Sequence, residues 1–187
     1  MGFGDLMSQL NWIDVLIITL LFRSTYIGAK QGVIVEIFKL LSFISISFFT
    51  LHYYAVWGDF LNNATPLDKS ASYVFCYLLI TSVLLFIFKF ARHSFLRIVK
   101  IEVIEFLSFW GGVLFGFIRG FLVSSLICLF FFVFTGDYLK GSVRQSFSGG
   151  RVLKISPVVY KSIYNGLIIK FNPNSELNEE LFDSLEG

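Results

Sequence analysis

Residues 70–88 read SASYVFCYLLITSVLLFIF, nineteen residues without a charge, followed by Lys89 and Arg92. As a helix rising 1.5 Å per residue the stretch is ~28 Å long, close to the roughly 30 Å of a bilayer's hydrocarbon core. The rest of the chain fits that reading. Of its 187 residues, 15% are charged, 56% hydrophobic and 19% aromatic, and 24 are Phe. An ordinary soluble domain carries about 25% charged residues. Mean hydropathy is +0.75. A soluble domain of this length leaves about 30% of its unfolded surface exposed, and this chain has too few polar side chains to cover it. Composition argues against a soluble enzyme, a disordered chain and a nucleic-acid binder, and for a small integral membrane protein.

Three further apolar runs accompany the first. Residues 33–57 carry Glu36 and Lys39 near their start and His52 near their end. They close with Tyr53, Tyr54 and Trp57, read as the aromatic belt of a membrane–water interface. Residues 111–135 are interrupted by Arg119 alone. Residues 10–27 are the least apolar. Asp14 and Arg23 stand only ~13 Å apart along a helix, so at least one lies within the membrane zone or is sheltered by protein. The expected fold is an all-α integral membrane protein, with four transmembrane helices in two hairpins plus a C-terminal amphipathic helix. The membrane domain covers 1–136, with spans at about 10–27, 33–57, 70–90 and 111–135. The first hairpin turns at 28–32. The connection 58–69 holds Asn62, Asn63 and Pro66, which are turn residues. Residues 91–109 join the last two spans. Residues 137–187 form a basic tail that becomes acidic from Phe171. Val159, Ile163 and Leu167 recur every four residues after Pro157, which predicts a short amphipathic helix, either on the lipid surface or packed on the bundle. The acidic end is expected to be solvated and partly disordered.

No Lys or Arg precedes Trp12, and no small-residue cleavage site follows the first apolar run, so no cleavable signal peptide is expected. Basic residues in short loops mark the cytoplasmic side. Arg23, Lys30 and Lys39 flank the first turn. Lys89, Arg92, Arg97 and Lys100 surround the third connection, against Lys69 alone in the middle one. Both ends of the chain are then expected outside. The tail cations Lys140, Arg144, Arg151, Lys154, Lys161 and Lys170 pull the C-terminus the other way.

Two motifs repeat: Gly28-x-x-x-Gly32 enclosing Lys30, and Gly116-x-x-x-Gly120 enclosing Arg119. Such spacing lets helix backbones approach closely in a membrane. It reads either as two equivalent helix crossings, one per hairpin, or as glycines at helix starts and turns. Gly112 extends the second small face. A charge inside a span is costly and is usually paired or functional. Arg119 can snorkel to the interface, or pair with Glu36 at the same depth, with Arg23, Lys30 and Lys39 joining the cluster. Asp14 can cap the first helix together with Asn11, or bind a proton or cation. Asp14, Arg23, Lys30, Glu36 and Arg119 are the candidate functional charges. Gly28, Gly32, Gly112, Gly116 and Gly120 are the candidate packing glycines. Cys76 and Cys128 lie in apolar runs and read as small buried hydrophobes. His52 reads as part of the interface belt and His93 as a solvated loop residue. No zinc, P-loop or nucleophile-elbow motif occurs, so no catalysis, metal or cofactor is expected.

Taken in order, these residues resemble the colicin V production protein family. The resemblance rests on Asn11-Trp12-Ile13-Asp14, on Gly28-x-Lys30-x-Gly32 followed by Glu36 and Leu40, and on His52-Tyr53-Tyr54. It is strongest at Gly112-x-x-x-Gly116-x-x-Arg119-Gly120 and continues to Ser156-Pro157. The family often has Asp-Arg shortly before the glycine matched by Gly112; here Ser108 and Phe109 stand there, with Glu105 the nearest acid. The resemblance implies a bacterial inner-membrane protein linked to toxin production or envelope upkeep.

The leading expectation is a non-enzymatic accessory protein for producing or exporting a colicin V-type toxin, or for envelope homeostasis. Its partners would be the lipid bilayer, envelope or export proteins and further copies of itself, with no nucleic acid. The second is an oligomeric small-solute or ion channel or transporter using Asp14, Glu36 and Arg119, since four spans are few for a solute path in one chain. A membrane-embedded enzyme ranks last, for want of a nucleophile and base.

Overall fold

The structure is a computed structural model and describes residues 11–98, 104–134, 137–168, 170, 177–178 and 181–182. Among these residues every regular element is helical: α1 (Trp12–Gln31), α2 (Val33–Ala64), α3 (Lys69–Ile98), α4 (Glu105–Phe134), α5 (Asp137–Gln145), α6 (Gly149–Leu153), α7 (Ile155–Ile163) and a π-helical turn, Tyr164–Ile168. Helices α1 to α4 are long and apolar enough to cross a membrane.

Most of these helices overrun the apolar stretch that announced them. Helix α2 has 32 residues, ~48 Å, against roughly 40–45 Å for a bilayer with its headgroups. It continues through Asn62 and Asn63 to Ala64, so the connection shrinks to residues 65–68. Polar residues end the hydrophobic zone without ending the helix. Residues 28–31 also stay helical, and the break before α2 is Gly32 alone, at φ 81, a region glycine enters without strain. Lys100 and Glu102 of the third connection, and the end of the run 111–135, lie outside the described residues.

The four long helices lie side by side in the order α1, α4, α2, α3, each packed mainly on its neighbours in that order. Chain neighbours α1 and α2, and α3 and α4, touch little. The expected pair of hairpins is therefore not how the helices pack. Helix α3 is an edge, with only 11% of its most apolar window buried. Phe22, Phe86, Phe90 and Phe106 point outward, as lipid-facing side chains do.

The α1–α4 contact is where the two glycine motifs go. They form one crossing, face to face, rather than two equivalent ones. A Cβ on Gly28 would overlap the Gly112 carbonyl oxygen and stand 3.0 Å from Gly116 Cα. One on Gly116 would stand 2.8 Å from the Ser24 carbonyl oxygen. Ser24 Oγ donates to the Gly116 carbonyl at 2.8 Å, closing the crossing with a hydrogen bond.

The hydrophobic core fills the opposite end of the bundle. There Ile13, Ile17, Phe48, Leu51, Tyr54 and Leu129 meet side chains of the tail, including Val152, Leu153 and Tyr160. Tyr54 is thus a core residue and not part of an interface belt, whereas Tyr53 and Trp57 are exposed. The tail packs on the bundle, with α6 against α4 and α7 against α2. Its buried side carries Ser156, Pro157 and Tyr160, while Val159 is only half-buried. The change to a π turn at Tyr164 ends the expected four-residue repeat before Leu167. Leu181 is fully buried, and Asn178 Nδ2 donates to the Leu51 carbonyl at 2.7 Å. This part of the acidic end is docked and not solvated; Glu176, Glu179, Glu180, Asp183 and Glu186 lie outside the described residues.

Gly116→Val must push α1 off α4, and is expected to destabilise the protein by about 3 kcal/mol. Nothing lies within 4 Å of a Cβ at Gly141, so Gly141→Ala should cost nothing or gain up to ~1 kcal/mol. Thermal unfolding of the purified variants in detergent checks this; equal melting of the two would contradict the crossing.

Candidate functional site

The glycine crossing brings α4 and α2 together at the level of Glu36. Glu36 lies in the first turn of α2, where the positive helix end favours a carboxylate. Its exposure is 0%, so the charge has no water to lean on. Both of its oxygens are engaged. Arg119 Nε donates to Oε2 at 2.8 Å, and Lys39 Nζ, one turn along the same helix face, donates to Oε1. Arg119 also donates through Nη2 to the Ser24 carbonyl at 3.4 Å, and its guanidinium lies 5.8 Å from the Phe43 ring centroid. Of the two readings of Arg119, the structure has the ion pair and not the snorkelling side chain.

The cluster is smaller than the sequence suggested. Arg23 and Lys30 are exposed on α1 and take no part in it. The Lys30 ammonium sits 4.6 Å from the Tyr26 ring centroid instead. Helix α4 separates α1 from α2, so residues on the outer face of α1 cannot reach Glu36. Gly28, Gly112, Gly116 and Gly120 form the crossing, and Gly32 packs on Ser108.

Asp14 belongs to a second polar site at the other end. As expected, it completes a capping box with Asn11: Trp12 N–H donates to Asn11 Oδ1 at 2.7 Å, and Asn11 N–H to Asp14 Oδ2 at 3.0 Å. It does more than that. Ser146 Oγ donates to Oδ1 at 2.8 Å, Ser148 N–H to Oδ1 at 2.8 Å, and Phe147 N–H to Oδ2 at 3.2 Å. The Ser148 hydroxyl donates as well. Asp14 is 1% exposed and holds the loop between α5 and α6 against the start of α1. His52 is likewise drawn in, sharing a hydrogen bond of 3.0 Å with the Tyr160 hydroxyl. Burial raises the Tyr160 phenol above its ordinary pKa, with the Asn178 N–H pulling the other way. Sequence reading missed these partners. The only signal was three hydroxyl and glycine positions, Ser146, Ser148 and Gly149, in the basic part of the tail.

Fold and site together define a bundle of four long apolar helices with a glycine-packed helix crossing and a buried carboxylate shared by two cations. The model of the family described as colicin V production protein matches residues 13–157, a stretch that contains the glycine crossing, Asp14 and the Glu36–Lys39–Arg119 cluster. The chain belongs to that family. No curated protein and no solved structure matches it.

Glu36→Gln strands two buried cations, while Arg119→Gln leaves Lys39 on the carboxylate. The first is expected to cost about 3–5 kcal/mol and the second roughly half as much. The double variant should fall short of additivity by ~1 kcal/mol or more in thermal unfolding. Asp14→Ala removes a charged acceptor shared by several donors, each such bond contributing about 1.5–3 kcal/mol. It should speed tryptic cleavage after the exposed Arg151 by roughly tenfold or more through local opening. An unchanged digestion rate would refute the clamp.

Proposed function

We propose that the protein is a non-enzymatic accessory protein of the bacterial inner membrane, serving production or export of a colicin V-type toxin or upkeep of the envelope. The observation that carries this reading is the use to which the charges inside the spans are put. Lys39 and Arg119 both bond to Glu36, and the Arg119 pair fixes α2 against α4. Asp14 is consumed by capping and by the tail. Charges spent on packing suit a scaffold that presents its faces to partner proteins. The family's description supplies the link to toxin production.

Orientation is part of the proposal. Helix α4 is unbroken over 30 residues, and the tail that follows it bonds to Asp14 at the start of α1. The start of α1 and the tail segment bonded to it therefore share one face of the bundle. At the other face the last turns of α1 and α3 carry Lys30 and Arg97, with Lys89 and Arg92 close by, which supports placing that face in the cytoplasm and both ends outside.

One observation favours a second reading. A cavity of about 460 Å³ beside Arg119 has Lys39, Lys89, Arg92 and Arg119 among its lining residues, as an anion path through an oligomer would. Reconstitution decides between the two. The accessory reading expects liposomes holding the protein to show no anion flux above empty ones. It also expects an alkaline phosphatase fusion at Gly187 to be active, and a tagged protein to co-purify with a defined toxin-export component. An anion flux abolished by Arg119→Ala would establish the second reading instead.

A further inference from the structure

The same cavity opens between α2 and α3, on the lipid-facing edge of the bundle. Four cations line it: Lys39, Lys89, Arg92 and Arg119. Against them stands one bonded carboxylate, Glu36, already shared by Lys39 and Arg119. Among the described residues neither Lys89 nor Arg92 has a carboxylate within ion-pair distance. Lys39 and Arg119 each keep N–H donors that Glu36 does not use.

Depth distinguishes this from an ordinary basic patch. Residues 70–88 of α3 account for ~28 Å of charge-free helix, the thickness of the hydrocarbon core. Lys89 and Arg92, just past its end, therefore lie at the level of lipid phosphates. Lys39 and Arg119 face them from the inner side of the cleft. Deeper in, the lining changes to Phe43, Ile46, Leu85 and Phe86. Ile46 is buried, while Leu85 and Phe86 are exposed toward lipid.

We propose that this cleft is a binding site for one anionic phospholipid, its phosphate held by Lys89, Arg92, Lys39 and Arg119 and an acyl chain lying along α2 and α3. The cationic end accepts an anion. The apolar end asks that the anion carry hydrocarbon. Together they select an anionic amphiphile over either a free anion or a zwitterionic lipid. Basic pockets between spans recognise lipid headgroups in this way. The site stands independently of the accessory role, since the cleft is read from its lining alone.

The test uses the full chain purified in non-ionic detergent and offered mixed micelles of phosphatidylglycerol and phosphatidylcholine with matched acyl chains. Native mass spectrometry reads the retained lipid. The intact protein is expected to retain phosphatidylglycerol preferentially. That preference should fall on the order of tenfold or more in the Lys89→Gln/Arg92→Gln double variant. Both positions lie outside the Glu36 cluster, so the fold is retained, and circular dichroism confirms it. A Lys140→Gln/Lys161→Gln control at the other face should keep the full preference. Equal retention of the two lipids, or a preference indifferent to Lys89 and Arg92, overturns the proposal. Inorganic phosphate at constant ionic strength separates the sources. Phosphatidylglycerol that stays bound supports the lipid site, and displacement by phosphate assigns the cleft to a soluble anion and overturns it.

Discussion

The structure turns on one constraint: the Glu36 carboxyl group is buried where neither water nor lipid reaches it. An uncompensated carboxylate there would cost several kcal/mol. Helix α2 alone supplies one partner, Lys39. The second, Arg119, comes from α4 and is 83 residues away in the chain. The pair need not add net stability, because both ions lose their hydration. What it does is choose among packings. Sliding α2 by one turn against α4 would leave Glu36 short of a cation and Arg119 short of an anion. Hydrophobic contact between helices makes no such choice in a membrane, where lipid is as apolar as Leu. The register of the bundle is therefore set by charge at this end.

At the other end the register is set differently. Tyr54, Leu51, Leu129 and the tail residues Val152, Leu153 and Tyr160 make a closed core, and the polar contacts there tie the tail down. Asp14 receives the loop after α5. Ser125 Oγ donates to the Leu153 carbonyl at 3.2 Å and accepts from Ser156 N–H at 2.8 Å. A tail anchored through backbone groups is held in position without relying on the lipid surface. Two of its cations lie over the buried Phe132 ring, half-buried Lys140 at 5.0 Å and exposed Arg144 at 5.4 Å from its centroid.

The sequence showed most of what a one-dimensional pattern can carry. Hydropathy located the four long helices, and Asn11 with Asp14 marked the start of α1. The cost of a buried charge singled out Glu36 and Arg119, and their common depth suggested the pair. What failed was the inference from chain neighbours to space neighbours. A Gly-x-x-x-Gly face says that a helix can be approached closely, not by which partner, and the two faces proved to be each other's partners. Helix ends were misjudged at Asn62 and Asn63 because turn propensity is weak beside the cooperativity of a long helix. The anchoring of Asp14 was hidden for another reason. It joins residues more than 130 positions apart through Ser hydroxyls and backbone N–H groups, and neither has a periodicity to detect.

The glycine crossing and the buried ion pair are parts of one arrangement. Arg119 is held at both ends of its guanidinium, by Glu36 on α2 and by the Ser24 carbonyl on α1. A helical carbonyl is normally screened by the side chains around it. Here it is within reach because Gly116 and Gly120 carry none, and α1 comes down onto α4 at Ser24. With larger side chains at those two positions, α1 would stand off, Arg119 would lose its backbone acceptor, and the guanidinium would be free to turn from Glu36 toward the membrane surface. The small residues therefore do more than permit packing: they place a backbone oxygen where it fixes the direction of the one arginine that α2 requires.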